Sequence, residues 1–508
     1  MARSSREWWL VLGVWLSLIV TNPGRNETVD VGIRQVIARR IWSAGQVTLD
    51  SRPPSDMPVA WLPVGPGRWA APYGIGQSLL FIPFDAAGAF LEHISPPSWQ
   101  ERIGWFPIGL GLLPLLGVGL WLVMRRVLEA EGLEPRLAVV GSCAVVFGTI
   151  MFHYLGQGQE EMLVGLCLIS SVLYALRLRA APTTRNALAS AAFAGACLVI
   201  RPVSVFSLLI VPVLLWSASK DRVTRIRILA TAGLVVLLSI GVMLWYNFAR
   251  FGSPFTIGYD RLGHVSKFAF DRRSPGILVS LLLGPGFGLL VLSPLLVVTF
   301  SGLGPLWRRD RSYLVGMTAS VVSCYLFFSC WHDSYNGGVA WGTRYQCHLL
   351  PLYALPLALG IRRLSAGRWR RVLLVVAALS ASIQVLSVAV THHLEYVEAA
   401  CQDGHAGGEE LFQGFTKGQL GRRIRNVVRW VHRAGPPPCD DPKGRELIAV
   451  VWDRYVPNFW GPVIAHRIVR GGRLLMALWA TLAAAALGAL WIGGRGSSGS
   501  ARVPRKPT

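Results

Sequence analysis

The sequence predicts an all-α polytopic membrane protein. Of its 508 residues, 52% are hydrophobic and only 15% are charged. A chain of this length and composition is too apolar for a water-soluble protein. Long apolar runs recur along it, and arginine-rich segments follow alternate runs. Because the basic residues cluster at helix ends, the net charge of +23 indicates contact with anionic membrane lipids and no nucleic-acid partner.

About twelve apolar runs are candidate transmembrane helices. A spanning helix needs roughly 17 to 25 mostly apolar residues. The runs centre on 8–21, 104–124, 137–155, 162–177, 186–200, 202–217, 226–248, 286–303, 313–330, 346–361, 371–391 and 474–493. Thr21-Asn22-Pro23 makes a poor signal-peptidase site, so we expect the first run to be a retained anchor. Arg201-Pro202 separates two short runs, where the proline disfavours helix at the preceding residue.

The short connections set the orientation. With the N-terminus inside, the cytoplasmic segments are the basic ones, namely 125–136, 177–185, 220–227, 308–311, 362–371 and a disordered tail, 495–508. This pattern follows the positive-inside rule only if the apolar stretch 73–94 does not cross the membrane. We therefore expect 73–94 to be a helix on the outer surface, with Trp69, Leu79, Leu80 and Phe81 toward lipid.

Three parts of the chain follow from this topology. Residues 1–394 form a transmembrane core that includes a first outer loop, 22–103; residues 395–472 form an outer extramembrane segment, and 473–494 the last span. Within the outer segment, 420–431 has the pattern of a basic amphipathic helix, for which packing on that segment and binding to the membrane surface both stay open. Cys401 and Cys439 lie in the same segment, and a disulfide between them is also open.

Two acidic residues begin the first outer loop. Glu27 and Asp30 are three residues apart, so a helical turn would place both on one face. A carboxylate at the boundary between water and lipid can act as a general base, while an ordinary solvated acidic loop is the alternative. Arg34, Arg39 and Arg40 follow at helical spacing, either to bind phosphate or to pair with these two acids, and ordinary surface charge is a third alternative for Arg39 and Arg40.

The outer turn 331–345 combines glycines, aromatic residues and Arg344. Glycine permits a ligand to approach the backbone closely, and arginine matches phosphate oxygens with two parallel hydrogen bonds. An interfacial aromatic belt would explain the tryptophans but not Arg344. Arg201 lies at the outer boundary of two apolar runs, where an ionisable side chain usually faces a cavity, with a snorkelling arginine as the alternative.

Further residues of the outer regions are candidates for lining a substrate cavity. They are Arg34, Tyr73, Gln77, His153, Tyr259, His332, Trp341 and Tyr345. His332 and Asp333 also offer groups that could bind a metal together with Asp30, but two ligand types side by side are a weak signal. A divalent cation therefore stays open, and no other cofactor is predicted.

Four pieces of the chain, taken in order, carry a resemblance to a known family. They are Tyr73-Gly74-Ile75-Gly76-Gln77-Ser78 behind Gly67-Arg68-Trp69; Arg201-Pro202; Phe251-Gly252-Ser253-Pro254-Phe255 with Gly284-Pro285-Gly286-Phe287-Gly288; and Gly342-Thr343-Arg344-Tyr345 behind Gly337-Gly338. Together they cover roughly residues 8–395. This ordered set resembles the GT-C superfamily of membrane glycosyltransferases, and is similar to the bacterial relatives of protein O-mannosyltransferase and of the lipid A aminoarabinose transferase.

The resemblance implies a GT-C fold and an inverting transfer of a sugar from a polyprenyl-phosphate donor. In these families an aspartate of the first outer loop is the catalytic base, and Asp30 matches that position. Many relatives have a second acid directly beside it; here Val31 is the neighbour, and Glu27 is the nearby acid. Thr343 stands where the family motif often has proline, and Arg344 is retained.

In such a mechanism we expect Arg344 to hold the donor phosphate, with Arg201 as a second candidate for the same role. The acceptor hydroxyl would belong to a protein, a glycolipid or a polysaccharide, at the periplasmic face of a bacterial inner membrane. A polytopic transporter or lipid flippase is the alternative. It would need ionisable residues near the middle of several spans, whereas the apolar runs here are nearly free of charge.

Overall fold

Helices dominate the computed structural model, which describes residues 2–51, 61–96, 103–261, 268–332, 337–403, 414–465 and 472–495. In chain order the helices are α1 (Ala2–Thr21), α2 (Val29–Ala44), α3 (Gly76–Ile94), α4 (Leu113–Ala130), α5 (Pro135–Gly148), α6 (Met151–Leu155), α7 (Glu160–Ala180), α8 (Thr184–Ile200), α9 (Ile210–Ser217), α10 (Arg222–Phe251), α11 (Gly258–Arg261), α12 (Ser274–Leu283), α13 (Leu289–Leu292), α14 (Val298–Arg309), α15 (Arg311–Ser329), α16 (Ala354–Ser365), α17 (Arg370–Ala389), α18 (His392–Asp403), α19 (Gln419–Val431), α20 (Pro442–Tyr455), α21 (Trp460–Ala465) and α22 (Gly472–Arg495). A π-helical segment, Pro107–Leu112, leads into α4, and 3₁₀ segments lead into α9, α14 and α16 (Pro202–Leu209, Pro294–Val297 and Arg344–Tyr353).

Six helices of the described chain are long and apolar enough to cross a membrane. They are Pro107–Ala130, Glu160–Ala180, Arg222–Phe251, Arg311–Ser329, Arg370–Ala389 and Leu474–Gly494. Other predicted spans form shorter or interrupted helices: 137–155 is divided into α5 and α6, and 286–303 is interrupted before Pro294. Interrupted helices are tolerated at membrane depth where protein surrounds them. The number of about twelve spans therefore stays a prediction.

The charged residues at the two ends of helix α7 explain where it begins and ends. Glu160 and Glu161 occupy its first turn, and Arg177 and Arg179 occupy its last. Acids at a helix N-terminus and bases at its C-terminus both interact favourably with the helix dipole. Arg179 binds Asp310, which caps the start of α15, so the basic ends of successive helices meet at one face of the bundle.

The first outer loop contains α2, a small sheet and α3. Helix α2 begins after Thr28 and ends before Gly45, which has a left-handed backbone conformation. Three short antiparallel strands follow, β1 (Thr48–Leu49), β2 (Leu62–Gly65) and β3 (Arg68–Ala70), in the spatial order β1-β3-β2. The sheet is an addition to the predicted all-α architecture, and it returns the chain from the end of α2 toward its start.

Helix α3 has an exposed apolar stripe that includes Leu79 of the predicted residues but not Phe81. Leu79, Phe90 and Ile94 are exposed, whereas Phe81 is fully buried and packs edge to face on Trp105. The prediction that Phe81 faces lipid is therefore wrong. At 3.6 residues per turn, two positions along a helix correspond to a rotation of about 200°, so positions 79 and 81 point in nearly opposite directions.

The C-terminal segment packs through the basic face of α19. Arg422, Arg423 and Asn426 are buried on this face, and Arg423 pairs with the buried Glu395 of α18. This packing favours the first alternative for 420–431. Cys401 and Cys439 form a disulfide. Of the predicted tail, 496–508 lies outside the described residues.

The first and last helices pair along the bundle. The backbone of α1 at Gly13 lies against Leu490 of α22. Near the C-terminal end of α1, the indole N–H groups of Trp460 and Trp479 donate to the carbonyls of Ile19 and Val20, at 3.0 and 2.9 Å. These bonds take up carbonyl groups in the last turn of α1, where a helix leaves them without partners of its own.

Candidate active site

Asp30 lies in the first turn of α2, with its side chain 26% exposed. One carboxylate oxygen accepts a hydrogen bond from the Tyr73 hydroxyl, and the other accepts one from Nη2 of Arg344 at 3.0 Å. Tyr73 is brought there by the sheet of the first outer loop, and its carbonyl accepts from Arg250 at 2.8 Å. The structure thus joins three residues that are far apart in the sequence.

A chain of alternating charges continues from Asp30 into the protein. Nε of Arg344 donates to Glu161 at 2.9 Å, and Nη1 of Arg201 donates to the same oxygen at 2.9 Å. Arg201 also lies 3.5 Å from Glu160. Arg34 in turn donates to the other oxygen of Glu160 at 2.6 Å. We call these six residues, from Asp30 to Arg34, the charged chain.

The charged chain is balanced and nearly dry. It contains three carboxylates and three guanidinium groups, and the five members other than Asp30 have side chains at most 7% exposed. Breaking a buried ion pair by removing one partner costs about 3–5 kcal/mol, because the remaining charge stays buried. Every member therefore has a structural role in addition to any chemical one.

Some polar atoms of the charged chain have no partner among the described residues. These are Nε and Nη1 of Arg34 and Oε2 of Glu161. Buried polar groups are usually hydrogen-bonded, and an unpaired one in a native structure needs an explanation. Buried guanidinium N–H groups that lack a partner in this way are suited to donating hydrogen bonds to an anionic ligand.

Aromatic rings form one side of the site. The rings of Trp331 and Tyr345 stack 5.7 Å apart, and Tyr259 meets Trp331 edge to face at 6.1 Å. The guanidinium of Arg201 lies over the Tyr345 ring at 4.6 Å, and that of Arg34 over the Tyr73 ring at 4.1 Å. Cation–π contacts of this kind orient the arginines without using their hydrogen-bond donors.

The turn that precedes Arg344 is held by the C-terminal segment. Gly342 has a φ of 65°, in the left-handed region that favours glycine. Its N–H donates to Oε1 of Gln419 at 2.8 Å, while Nε2 of Gln419 donates to the carbonyl of Ala340 at 2.6 Å. The Tyr396 hydroxyl donates to Gly338 at 2.7 Å. Gln419 and Tyr396 were not among the predicted residues, and no feature of the sequence near them marks this role.

Electrostatics hold Asp30 in its ionised form. Burial opposes ionisation of its carboxyl, but Arg344, Arg34 and the hydrogen bond from Tyr73 outweigh it and lower the pKa of Asp30 below its usual value. For the Tyr73 hydroxyl, burial and the adjacent Asp30 charge raise the pKa well above the ordinary value. Asp30 is thus a carboxylate, and Tyr73 a neutral hydrogen-bond donor.

Glu27 is placed away from Asp30. Helix α2 begins at Val29, so Glu27 precedes it and the predicted helical turn containing both acids does not form. Its buried carboxylate accepts hydrogen bonds from Arg25, Gln157 and Asn458, at 2.5, 2.6 and 3.2 Å. Burial opposes its ionisation, but Arg25 and His392 lower the pKa of Glu27 strongly. Glu27 anchors the first outer loop to the C-terminal segment.

The other predicted cavity residues divide into two groups. Gln77 is buried and donates to the carbonyl of Gly158 at 2.5 Å, close to the start of α7. His153 and Trp341 instead pack against each other, with ring centres 6.1 Å apart, and Arg423 covers the Trp341 ring. This second group lies at the junction with the C-terminal segment.

His332 is held by α12 and the residues before it. Its Nε2 lies 3.3 Å from both Asp271 and Ser274. Asp333 lies outside the described residues. The part of the chain that the structure describes contains no group of three or more His, Cys, Asp or Glu side chains arranged to hold a metal ion.

Arg39 and Arg40 pair with acids of the first outer loop. Arg39 binds the buried Asp85 and also Glu92 of α3, both at 3.1 Å, and Arg40 binds Asp50. These partners are not Glu27 and Asp30, the acids considered in the sequence analysis, and the side chains of Arg39 and Arg40 are 39% and 29% exposed. Within the charged chain, the sequence indicated Glu160 and Glu161 least, since two acids in a short turn resemble an ordinary helix start.

Comparisons with known proteins show the fold. No protein-family model matches the chain, and no curated protein matches its sequence. Among solved structures, ArnT from Cupriavidus metallidurans bound to undecaprenyl phosphate is similar, with a TM-score of 0.52 and 13% identity over 95% of this chain and 74% of that chain. ArnT is a lipid A aminoarabinose transferase, a GT-C enzyme. The shared fold and the six apolar helices indicate an integral membrane protein.

Proposed function

We propose that this protein is a glycosyltransferase that moves a sugar from a polyprenyl-phosphate donor to an acceptor hydroxyl. Its GT-C fold is shared with ArnT, whose solved structure contains undecaprenyl phosphate. The observation that carries the proposal is the direct contact of Asp30 with Arg344 at the end of a buried charged chain. This contact supports a role of Asp30 as the base beside a phosphate held by arginines.

The donor phosphate would bind among Arg34, Arg201 and Arg344. Arg34 supports this because two of its nitrogens are buried without a partner among the described residues. Arginine is suited to the task because its planar group offers several donors and stays charged. In a site with little water, such fixed charges stabilise the negative charge that develops on the leaving phosphate.

Asp30 would take the proton from the acceptor hydroxyl. In the ligand-free site Arg344 contacts Asp30 directly, which weakens the carboxylate as a base. A phosphate that competes for Nη2 of Arg344 would release Asp30 and raise its basicity. Donor binding and base activation would thereby be linked, and the acceptor oxygen would attack the anomeric carbon as the phosphate leaves from the opposite face.

No second carboxylate is required as a general acid. The phosphate is already a good leaving group and needs only charge stabilisation, unlike the leaving oxygen in the two-carboxylate pattern of soluble glycosidases. Glu161 already pairs with Arg201 and Arg344, so its expected role is to position them. The first outer loop would place this chemistry at the periplasmic face of a bacterial inner membrane.

A binding experiment tests the donor site without knowledge of the sugar. Purified wild-type protein is titrated with undecaprenyl phosphate and the complex is measured by native mass spectrometry. We expect Arg34→Gln to weaken binding by about tenfold or more, since hydrogen bonds to charged groups contribute about 1.5–3 kcal/mol. Arg40→Gln, which removes a pairing partner of Asp50 away from the site, is the matched control. Equal affinity in wild type and Arg34→Gln would refute the phosphate site.

A further inference from the structure

A cavity of about 510 Å³ lies between the last turns of α14 and α16. It is lined by Pro305, Arg308, Arg309, Leu359, Arg362 and Arg363. Its volume is in the range of about 300–1,000 Å³ that is usual for small-molecule sites. Two arginines come from each helix, so four guanidinium groups border one concave space.

The cavity follows from a close crossing of the two helices. At Gly302 and Gly360 the backbones approach so closely that an added Cβ would collide with the carbonyls of Pro356 and Val298. Small residues at a helix crossing permit such an approach in membrane proteins. Beyond the crossing the last turns carry large side chains, and the space between them stays open.

The positive charge at this cavity is largely unneutralised. Arg308, Arg362 and Arg363 pair with no acidic side chain in the part of the chain that the structure describes; Arg363 donates to the carbonyl of Ser301 at 3.2 Å. Arg309 lies 3.8 Å from Glu131, a long ion pair. Helix C-termini favour basic residues, but this effect does not by itself bring two pairs to a shared cavity.

The sequence around the cavity is typical of a membrane interface. Trp307 precedes Arg308 and Trp369 follows the end of α16; they are 45% and 50% exposed, and tryptophan is enriched where lipid headgroups begin. Glu160 and Glu161 of the charged chain lie in the first turn of α7. Arg179, in the last turn of the same helix, binds Asp310, which follows Arg309 of the cavity. At 1.5 Å per residue the two sites are separated by roughly 30 Å, about the thickness of a bilayer core.

We propose that this cavity binds the headgroup of an anionic membrane lipid that carries two phosphodiester groups. Two guanidinium pairs on opposite walls match two phosphates, each able to accept paired hydrogen bonds. Basic pockets between helices at the inner face of a membrane bind headgroups of this kind. Pro305 and Leu359 provide apolar contact for the adjoining glycerol and acyl chains. This site does not depend on the proposed sugar transfer.

The test uses the full-length protein, purified in a zwitterionic detergent, with native mass spectrometry as the readout. The probes are diphosphatidylglycerol, phosphatidylglycerol, phosphatidylcholine and inorganic pyrophosphate. We expect diphosphatidylglycerol to bind most tightly, and the double variant Arg308→Gln/Arg362→Gln to weaken its binding by about 30-fold. Arg185→Gln/Arg222→Gln removes the same charge from neighbouring helix ends and should leave binding unchanged.

Three outcomes would overturn the proposal. One is equal binding of diphosphatidylglycerol by wild type and the Arg308/Arg362 variant. Another is an equal loss in the control variant, which would show that total charge alone attracts the lipid. The third is binding of pyrophosphate as tight as that of the lipid, which would assign the cavity to a soluble anion. Undecaprenyl phosphate binding at the charged chain should be the same in all variants, so this test is separate from that of the proposed function.

Discussion

Asp30 illustrates how one residue's chemistry depends on neighbours that its own segment does not contain. The carboxylate is bound by Tyr73 of the same loop and by Arg344, which lies 314 residues away. These contacts keep Asp30 ionised in a setting where burial alone would favour protonation. The same contacts restrain it until a ligand competes for the arginine.

Replacing Asp30 with Asn should abolish most transfer while preserving donor binding. The amide keeps the shape of the side chain but cannot accept the acceptor proton, and loss of a general base costs about 10²–10⁴-fold in rate. The measurement is release of undecaprenyl phosphate from an undecaprenyl-phosphate sugar in reconstituted membranes. Near-normal release would show that Asp30 is not the base.

Glu27→Gln is the matched comparison, because Glu27 is the acid nearest to Asp30 in the sequence and its buried carboxylate holds the loop in place. We expect a lower thermal midpoint, since the pairing with Arg25 is lost from a buried site. The turnover of the protein that remains folded should change little. A loss of turnover as large as that of Asp30→Asn, with an unchanged thermal midpoint, would instead give Glu27 a chemical role.

The pH dependence of transfer should respond to Tyr73. Its hydrogen bond helps to lower the pKa of Asp30, so Tyr73→Phe should raise that pKa. Because the base must be deprotonated, activity is lost as pH falls through its pKa. The acidic limb of kcat/KM should therefore move to higher pH in Tyr73→Phe, and an unmoved limb would contradict the assignment of Asp30 as the titrating base.

At the scale of single residues, the sequence identified the charged residues of the site more completely than it identified the contacts between them. Asp30, Arg34, Arg201 and Arg344 were all singled out, and the structure joins them in one charged chain. The bridging role of Glu161 was not predictable from spacing, because it depends on two arginines from other helices. Glu27 and Asp30 differ for a local reason, since α2 begins between them.

Among the elements, α19 connects the C-terminal segment to the site. Its buried polar face is directed at α18 and at the turn before Arg344, while Ile424, Val428 and Val431 are exposed. The amphipathic pattern was visible in the sequence, but a pattern does not state which face is covered. Here the polar face is covered, because Arg423 and Gln419 donate hydrogen bonds to backbone carbonyls of the residues on which the helix packs.

Gln419→Ala should loosen the turn that carries Arg344. It leaves the Gly342 N–H without its present partner, and such a loss costs about 1–3 kcal/mol for a buried group. The Ala340 carbonyl keeps the hydrogen bond from the Tyr396 hydroxyl. We expect undecaprenyl phosphate to bind about tenfold more weakly. Val428→Ala, on the exposed face of the same helix, should bind as wild type does. If both variants lose affinity equally, α19 acts through general stability rather than through this turn.

Considered as a whole, the molecule is held together at its outer end by a covalent bond as well as by packing. Cys401 and Cys439 close a loop with a sequence separation of 38 residues. In the chain-entropy account, a loop of this length contributes about 4 kcal/mol. The bond joins α18, which bears Tyr396 and Glu395, to the segment that leads into α20.

Removing this disulfide should loosen the C-terminal segment and increase the hydrogen exchange of its backbone. Cys401→Ser/Cys439→Ser is compared with wild type by hydrogen exchange across residues 392–455, with and without a reducing agent. The reductant should increase exchange in the wild type and have no effect in the variant. Equal exchange in reduced and oxidised wild type would show that packing alone holds the segment.

The membrane architecture was predictable in outline from composition and from the distribution of arginines. Basic ends such as Arg179 and Arg309 do meet at one face of the bundle. The number of spans was not predictable in the same way, because an apolar run such as 286–303 folds as short pieces around Pro294. Apolar composition reports an apolar environment, whereas continuity of a helix depends on individual prolines.

Because α1 pairs with α22, the order in which the chain is synthesised determines when α1 can reach its final packing. Helix α1 is made first, yet the residues that bind its outer end, Trp460 and Trp479, emerge more than 400 residues later. At translation rates of about 5–20 residues per second, this delay is roughly 20–90 seconds. Asp30 lies nine residues beyond the end of this helix, so the proposed base should reach its final position only after Trp460 and Trp479 have been made. A prematurely terminated product would then be inserted in the membrane without being able to consume the lipid-linked sugar.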